Sequence, residues 1–145
     1  MADTTLTITA ASVIPSIAAQ IRTGTVSAGV TVTAGHVLYA HTDGTLKLAV
    51  TTTALTAAVV GIALNGGGPG QIIRYVTEDP ALAITTTAAM VVGAQVFLAD
   101  ALTAAGLMTQ TIADINAGEF YTSLGTATSA AVLNFKITKS GVAHA

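Results

Sequence analysis

The stretch GIALNGGGPGQIIRYV, residues 61–76, carries three consecutive glycines, a proline and a fourth glycine. Clusters of this kind can cradle a phosphate, because bare backbone N–H groups at the start of a helix point at the anion. That chemistry needs a helix after the last glycine, and the Walker form also needs a Lys-Ser/Thr pair there. After Gly70 the chain continues QIIRYV, which is β-branched and holds no lysine. The cluster therefore reads as a connection between two strands, with Asn65-Gly66 and Pro69-Gly70 as its turn dipeptides. A connection without side chains can also let another backbone approach closely. On that ground Asn65, Gly66, Gly67, Gly68, Pro69 and Gly70 are candidate contact residues for a neighbouring subunit, the alternative being a plain solvent-exposed loop.

Other chemistry-bearing residues are sparse. His36, His41 and Asp43 lie close in sequence. His36 and His41, five positions apart, fall on opposite faces of a strand, and two ligands do not close a metal site. Glu78-Asp79 precedes Pro80 and reads as a turn with solvated charges, and Asp100, Asp114 and Glu119 fall in predicted loops. No spacing brings a pair of carboxylates together for acid–base work. Ser123 sits in YTSLG, which lacks the leading glycine of a nucleophile elbow. With no cysteine, disulfides and thiolate metal sites are excluded. No catalytic residue, metal or cofactor is expected.

The elements that would position these residues read as strands. Leu6 and Ile8 alternate with threonines in TTLTITA, the period-two pattern of an extended segment with one apolar face. GVTVTAG, residues 29–35, alternates valine with threonine and predicts another strand. HVLYAHTDGTLKLAV predicts a hairpin about Asp43-Gly44. VVGIAL and QIIRYVTE predict the strands flanking the glycine cluster. In the second half AQVFLAD, GEFYTSLGTA and AAVLNFKITKSG follow, the last with Leu133, Phe135 and Ile137 on one face. SIAAQI, TTTALTAA and DALTAAG are short hints of helix. Many short strands at near-regular spacing predict an all-β fold, a compact barrel or sandwich of antiparallel strands. The organisation expected is an extended N-terminal arm over residues 1–23 and a single β domain over 24–145. A weak echo, VLYAHTDGTL…VVGIAL against VFLADALTAAGLM…TSLGTA, has offsets drifting from 59 to 64 residues and suggests two similar β units.

Composition bounds the function class. Of 145 residues, 52% are hydrophobic and 8% charged, against the ~25% charged residues of ordinary soluble domains. Threonine supplies roughly one residue in six. With a formal net charge of −2, little opposes self-association, which points to a surface covered by other protein chains. Arg22, Lys47, Arg74, Lys136 and Lys139 are scattered and make no basic stripe, so nucleic acid is not an expected partner. The uncharged runs are broken by Gly and TTT, so no membrane span is expected. The start carries Asp3 and no basic segment, unlike a secretory signal, so synthesis in the cytoplasm is expected.

The run TVTAGHVLYAHTDGTLKLA…VVGIALNGGGPGQIIRYV, with the later VVGAQVFLADALTAAGLM…LGTATSAAVLNFKI, resembles the small capsid decoration (cement) proteins of tailed bacteriophages. In that family a G-x-x-[VL]-[YF] strand leads to an [DA]-G-x-L turn, then a GxA strand and a Gly- or Ala-rich hairpin. The resemblance covers about residues 29–138, and its motifs are those of strands and turns. The long NGGGPG tip and the TTLTITA start depart from the pattern. The resemblance implies a non-enzymatic virion protein of compact β fold. Its partners would be itself, as a homotrimer, and the major capsid protein, whose neighbouring copies it would clamp on the capsid surface. A tail or fibre component, or an all-β ligand-binding module, are the competing readings. Leu6 and Ile8 are the expected buried face of an arm that adds as a strand to another chain's sheet.

Overall fold

The computed structural model describes residues 5–6, 8–9, 13–86, 89–99, 105–111 and 117–143. Among them there is no α-helix, and the chain is all-β, in agreement with the sequence. Ten strands make one antiparallel sheet: β1 (Thr5–Leu6), β2 (Gln20–Thr25), β3 (Val37–Ala40), β4 (Leu46–Leu48), β5 (Val59–Ala63), β6 (Ile72–Ala83), β7 (Gln95–Leu98), β8 (Met108–Thr109), β9 (Phe120–Ser129) and β10 (Val132–Ala143). Nine follow one another in the order β1-β8-β7-β9-β10-β6-β5-β3-β4, and β2 pairs with β6 off this path.

Strand β6 is the spine. Its first half pairs with β2 on one edge and β5 on the other. Glu78 pairs with both Gln20 and Lys136, so β10 takes over the β5 edge further along. Each half of the sheet then curls until its ends meet. In the first half, β6-β5-β3-β4 returns to β2 through a parallel bridge between Leu46 and Val26. In the second half, β6-β10-β9-β7-β8 returns through the N-terminal segment, which pairs with β8 on one side and bridges Thr86 through Ile8 on the other.

Three sets of backbone hydrogen bonds recur in the two halves. Gly35 N–H donates to the Ala63 carbonyl at 2.8 Å, as Gly93 N–H does to Ala127 at 2.8 Å. Ala63 N–H donates to His36 at 2.9 Å, as Ala127 N–H does to Ala94 at 3.1 Å. The hairpins match too: His41 N–H to Thr45 at 2.8 Å, Ala99 N–H to Leu107 at 2.9 Å. The offset is 58 residues from Gly35 to Gly93, 62 from Thr45 to Leu107 and 64 from Ala63 to Ala127. The sequence echo matches Val37 with Val96. The registers instead match Leu38, which faces Gly61, with Val96, which faces Gly125. A slip of one residue exchanges the two faces of a strand, so the echo is real but its first strand is misaligned by one.

Two clusters fill the space so made. Val26, Val32, Leu38, Leu46, Ala63 and Ile73 form a small core inside the first ring. The larger core packs the opposite faces of β3, β5 and β6 (Val37, Tyr39, Val59, Ile62, Val76) against Val96, Leu98, Leu124, Leu133 and Phe135 of the second half. Hence Val37, Leu38 and Tyr39 are all buried, with no polar residue between them. In β10 the expected alternation holds: Leu133 and Phe135 are buried, Ile137 is half-buried, and Asn134, Lys136 and Thr138 face water.

Several local expectations differ. Residues 29–35 form no strand: turns occupy 28–29 and 34–35, and Val32 alone bridges to Gly67. The flanking glycines adopt φ of +75° and +93°, which turn the chain at each end before a ladder can form. Strand β6 runs on through Pro80, where the register with β10 shifts between Leu133 and Phe135. A bulge is one place where a strand accepts proline. Asp79, expected in a solvated turn, lies inside β6 and is fully buried. The boundary expected between residues 23 and 24 falls inside β2. Residues 16–19 make a turn, 51–57 make bends and turns, and DALTAAG lies mostly outside the described residues, as do Asp100 and Asp114.

Candidate functional site

The N-terminal segment is the first candidate. Leu6 pairs with Met108 and is buried; Ile8 bridges Thr86, and Thr9 N–H donates to the Thr85 carbonyl at 2.9 Å. A Cβ on Gly35 would stand 2.8 Å from Ile8 Cγ2, so the isoleucine lies directly on that glycine. Further along, Ile14 and Ala83 exchange two backbone hydrogen bonds of 3.0 Å. The segment expected to add to another chain's sheet thus pairs with its own chain here. It is held by a residue pair that no local pattern in the sequence marks. The Asp79 carboxylate accepts the Ser16 N–H at 2.8 Å, the Ser16 hydroxyl, and the Ala81 N–H at 3.0 Å. Each oxygen is thereby satisfied, as a buried carboxylate requires. Ser-after-Pro and Asp-before-Pro, 63 positions apart, are ordinary turn signals, and only the pairing of arm and β6 brings them together.

The glycine cluster, the second candidate, joins β5 to β6 as expected, and a strand rather than a helix follows it. Its tight turn is Gly68-Pro69-Gly70-Gln71, closed by Gln71 N–H to the Gly68 carbonyl at 3.1 Å, with Gly70 at φ +78°. Proline at the second position and a positive-φ glycine at the third define a type II turn. Asn65-Gly66 is not that turn: the Asn65 side-chain oxygen accepts the Arg74 N–H at 2.7 Å. Gly66 and Gly67 do admit a close backbone, but it is their own chain's. Val32 and Gly67 exchange hydrogen bonds of 2.8 and 2.9 Å, and a Cβ on Gly66 would lie 3.1 Å from the Val32 carbonyl oxygen.

The histidines do not converge. His36 Nδ1 accepts the Thr33 N–H at 3.0 Å, and burial pushes the imidazole below its ordinary pKa. His41 stacks edge-on to Tyr39, with 6.4 Å between ring centroids. Asp43 is tied to its turn, accepting the Thr45 hydroxyl at 2.6 Å and N–H at 3.0 Å, and these bonds hold its carboxyl below the usual range. Among the described residues no group of three or more His, Asp or Glu is arranged to hold a metal ion. A cavity of about 230 Å³ between the N-terminal segment and the 33–36 turn has one ionisable lining residue, His36. Another of about 350 Å³, walled by Val30, Tyr39, Leu48 and Val50, carries Lys47 at its rim. Neither gathers the paired groups that acid–base or nucleophilic chemistry needs.

The surface is distinctive where it is apolar. Ile14, Ile17, Ile21 and Ile72 are exposed, Ile17 completely. Ile21 and Ile72 share a face of the β2–β6 ribbon, because Ile72 lies opposite Thr25 and residues 21, 23 and 25 point the same way. Val91 and Val92 are also exposed, on a turn that the Gln110 side chain pins through hydrogen bonds of 2.7 Å and 3.0 Å to the Val91 backbone. Set beside known proteins, the chain matches no family model, no curated protein and no solved structure.

Proposed function

We propose that this chain is a non-enzymatic structural protein of a bacteriophage virion. In this reading it binds the outer surface of the capsid and stabilises the shell by bridging neighbouring major capsid proteins. It associates with itself, as a homotrimer, and needs no cofactor. The observation that carries the reading is that four large apolar side chains, Ile14, Ile17, Ile21 and Ile72, are exposed on a chain with only 8% charged residues. Burying these side chains against another chain is favourable, and few charges remain to keep two such surfaces apart. The resemblance to decoration proteins gives this contact its partner. The residues that carry the resemblance are those that build the repeated β3–β4–β5 and β7–β8–β9 units.

The test is binding to capsids that lack the protein, followed by sedimentation and electron microscopy of the shells. Density for the chain on the outer surface is expected. The double variant Ile17→Lys, Ile72→Lys should fold, since both side chains face water, and should bind at least tenfold more weakly. Shells without added density overturn the capsid reading. Undiminished binding of the variant removes the isoleucine surface from it.

A further inference from the structure

The two halves of the fold close differently. In the first, Val26 at the end of β2 meets Leu46 of β4 directly, and Ser27 N–H donates to the Leu46 carbonyl at 3.0 Å. In the second, Met108 is the counterpart of Leu46 by the hairpin offset of 62, and it does not reach the end of β6. The N-terminal segment stands between them, paired to Met108 through Leu6 and to Thr86 through Ile8. This strand is an insertion into a seam that the repeat otherwise closes by itself. The slot it fills is lined by β8, by Thr86 and by the Gly35 turn, none of which is adjacent to it in sequence.

We infer that this slot is a strand-exchange site between copies of the chain, filled in an assembly by the N-terminal strand of a second copy. The complementarity of strand and slot is already present, since an exchanged strand makes the same hydrogen bonds and buries the same Leu6. Exchange therefore has no cost in contacts, which is why swapped elements are a low-cost route to oligomers. What decides the balance is whether joining two copies covers enough new apolar surface to offset the entropy of association. The tether points to a second copy as the occupant. Residues 13–19, between the strand and β2, expose Ile14 and Ile17, and Ile21 follows at the start of β2. In a single chain those side chains face water; a tether crossing to a neighbour lays them along the contact it creates. The tether is held to its own chain by the buried Val13, the Ile14–Ala83 bridge and the Ser16–Asp79 bonds, and these contacts must open before the strand can cross to a neighbour. Slot and strand are different surfaces, so successive exchange gives a ring where the rotation between copies closes and an open chain of copies where it does not.

The experiment uses the 145-residue chain, which contains no cysteine. Leu6→Cys and Met108→Cys are made separately, one of them isotopically heavy, then mixed, incubated and oxidised. Exchange predicts a mixed disulfide dimer at least tenfold more abundant than either like-with-like dimer. Ser16→Ala in the same background should speed its appearance severalfold. The doubly substituted chain should give covalent rings or open chains of copies, whose mass counts the copies. Ile8→Cys with Thr86→Cys repeats the test should a cysteine at position 6 unfold the chain. If mixing yields no heterodimer with either pair, and doubly substituted chains form only internal disulfides, the inference is overturned. Because no capsid is present, this outcome is separate from that of the capsid-binding test.

Discussion

Gly61 and Gly125 occupy the same place in the two halves, and each is required for its lack of a side chain. A Cβ on Gly61 would stand 2.4 Å from the Val76 carbonyl oxygen, and one on Gly125 only 1.8 Å from that of Asn134. Val76 and Asn134 are themselves counterparts, lying opposite Ile62 and Thr126, so both repeats press a neighbouring carbonyl into a glycine that sits at a register shift with the strand on its other side. Gly125 also has φ +117°. Gly44, at φ +84° in its hairpin turn, has open space where a Cβ would stand, with no heavy atom within 4 Å. The two substitutions should separate cleanly. Gly44→Ala carries only the left-handed penalty, about 1 kcal/mol, whereas Gly125→Ala must also push a strand aside and should cost more than ~3 kcal/mol. Urea unfolding of the two variants checks this, and equal losses would remove the carbonyl-contact argument. In the sequence GIAL and GTAT are visibly alike, but nothing there says that the glycine is filled by a carbonyl rather than needed for a turn.

At the scale of the element, the legible parts are those where local chemistry decides. The Asp43-Gly44 hairpin, the strands on either side of the glycine cluster and the alternation along β10 follow from turn residues and period-two patterning. The parts that differ are decided by distant partners. Val30 and Val32 alternate with threonine, yet no neighbour extends a ladder along them, and Val32 simply turns into the first core. Glu78-Asp79-Pro80 looks like an exit from a strand because proline has no N–H, but the β10 register shift accommodates it and Ser16 and Ala81 supply the donors for Asp79. The N-terminal strand is legible in its alternation, but its acceptor is not, because Leu6 and Met108 have no signal linking them in sequence. The Ser16–Asp79 pair makes a test at this scale. Removing the hydroxyl with Ser16→Ala deletes one hydrogen bond to a buried carboxylate, worth about 2 kcal/mol. The loss falls first on the hydrogen bonds of the segment, since Ser16 itself lies outside the large core that Val13 and Ala19 join. Native-state hydrogen exchange should show the amides of Ile14 and Ser16 opening roughly thirtyfold faster, with those of β9 and β10 changed little. Uniform acceleration across the sheet would instead make the pair part of the global core.

The whole molecule poses the question of whether two similar halves behave as two units. Repeat proteins often unfold as separable pieces when each repeat meets only its neighbour. Here the halves share a strand and a core. Strand β6 contributes its first half to one ring and its second half to the other. The larger cluster takes Val37, Val59, Ile62 and Val76 from the first half and Val96, Leu124, Leu133 and Phe135 from the second. The first ring's private core is only six buried side chains, too few to stand when the faces of β3 and β5 behind it are exposed to water. The N-terminal strand adds a further tie, lying on Gly35 of the first half while closing the second. A single cooperative transition is therefore expected despite the duplication. Scanning calorimetry should give one peak of about 100 kcal/mol for a chain of 145 residues, with equal calorimetric and van't Hoff enthalpies. Phe135→Ala, which empties a fully buried site in the shared core, should lower that one peak by ~3–5 kcal/mol in stability without splitting it. Two resolved peaks, or a van't Hoff enthalpy near half the calorimetric value, would mean that each ring holds itself together and that the strand between them is a linker rather than a spine.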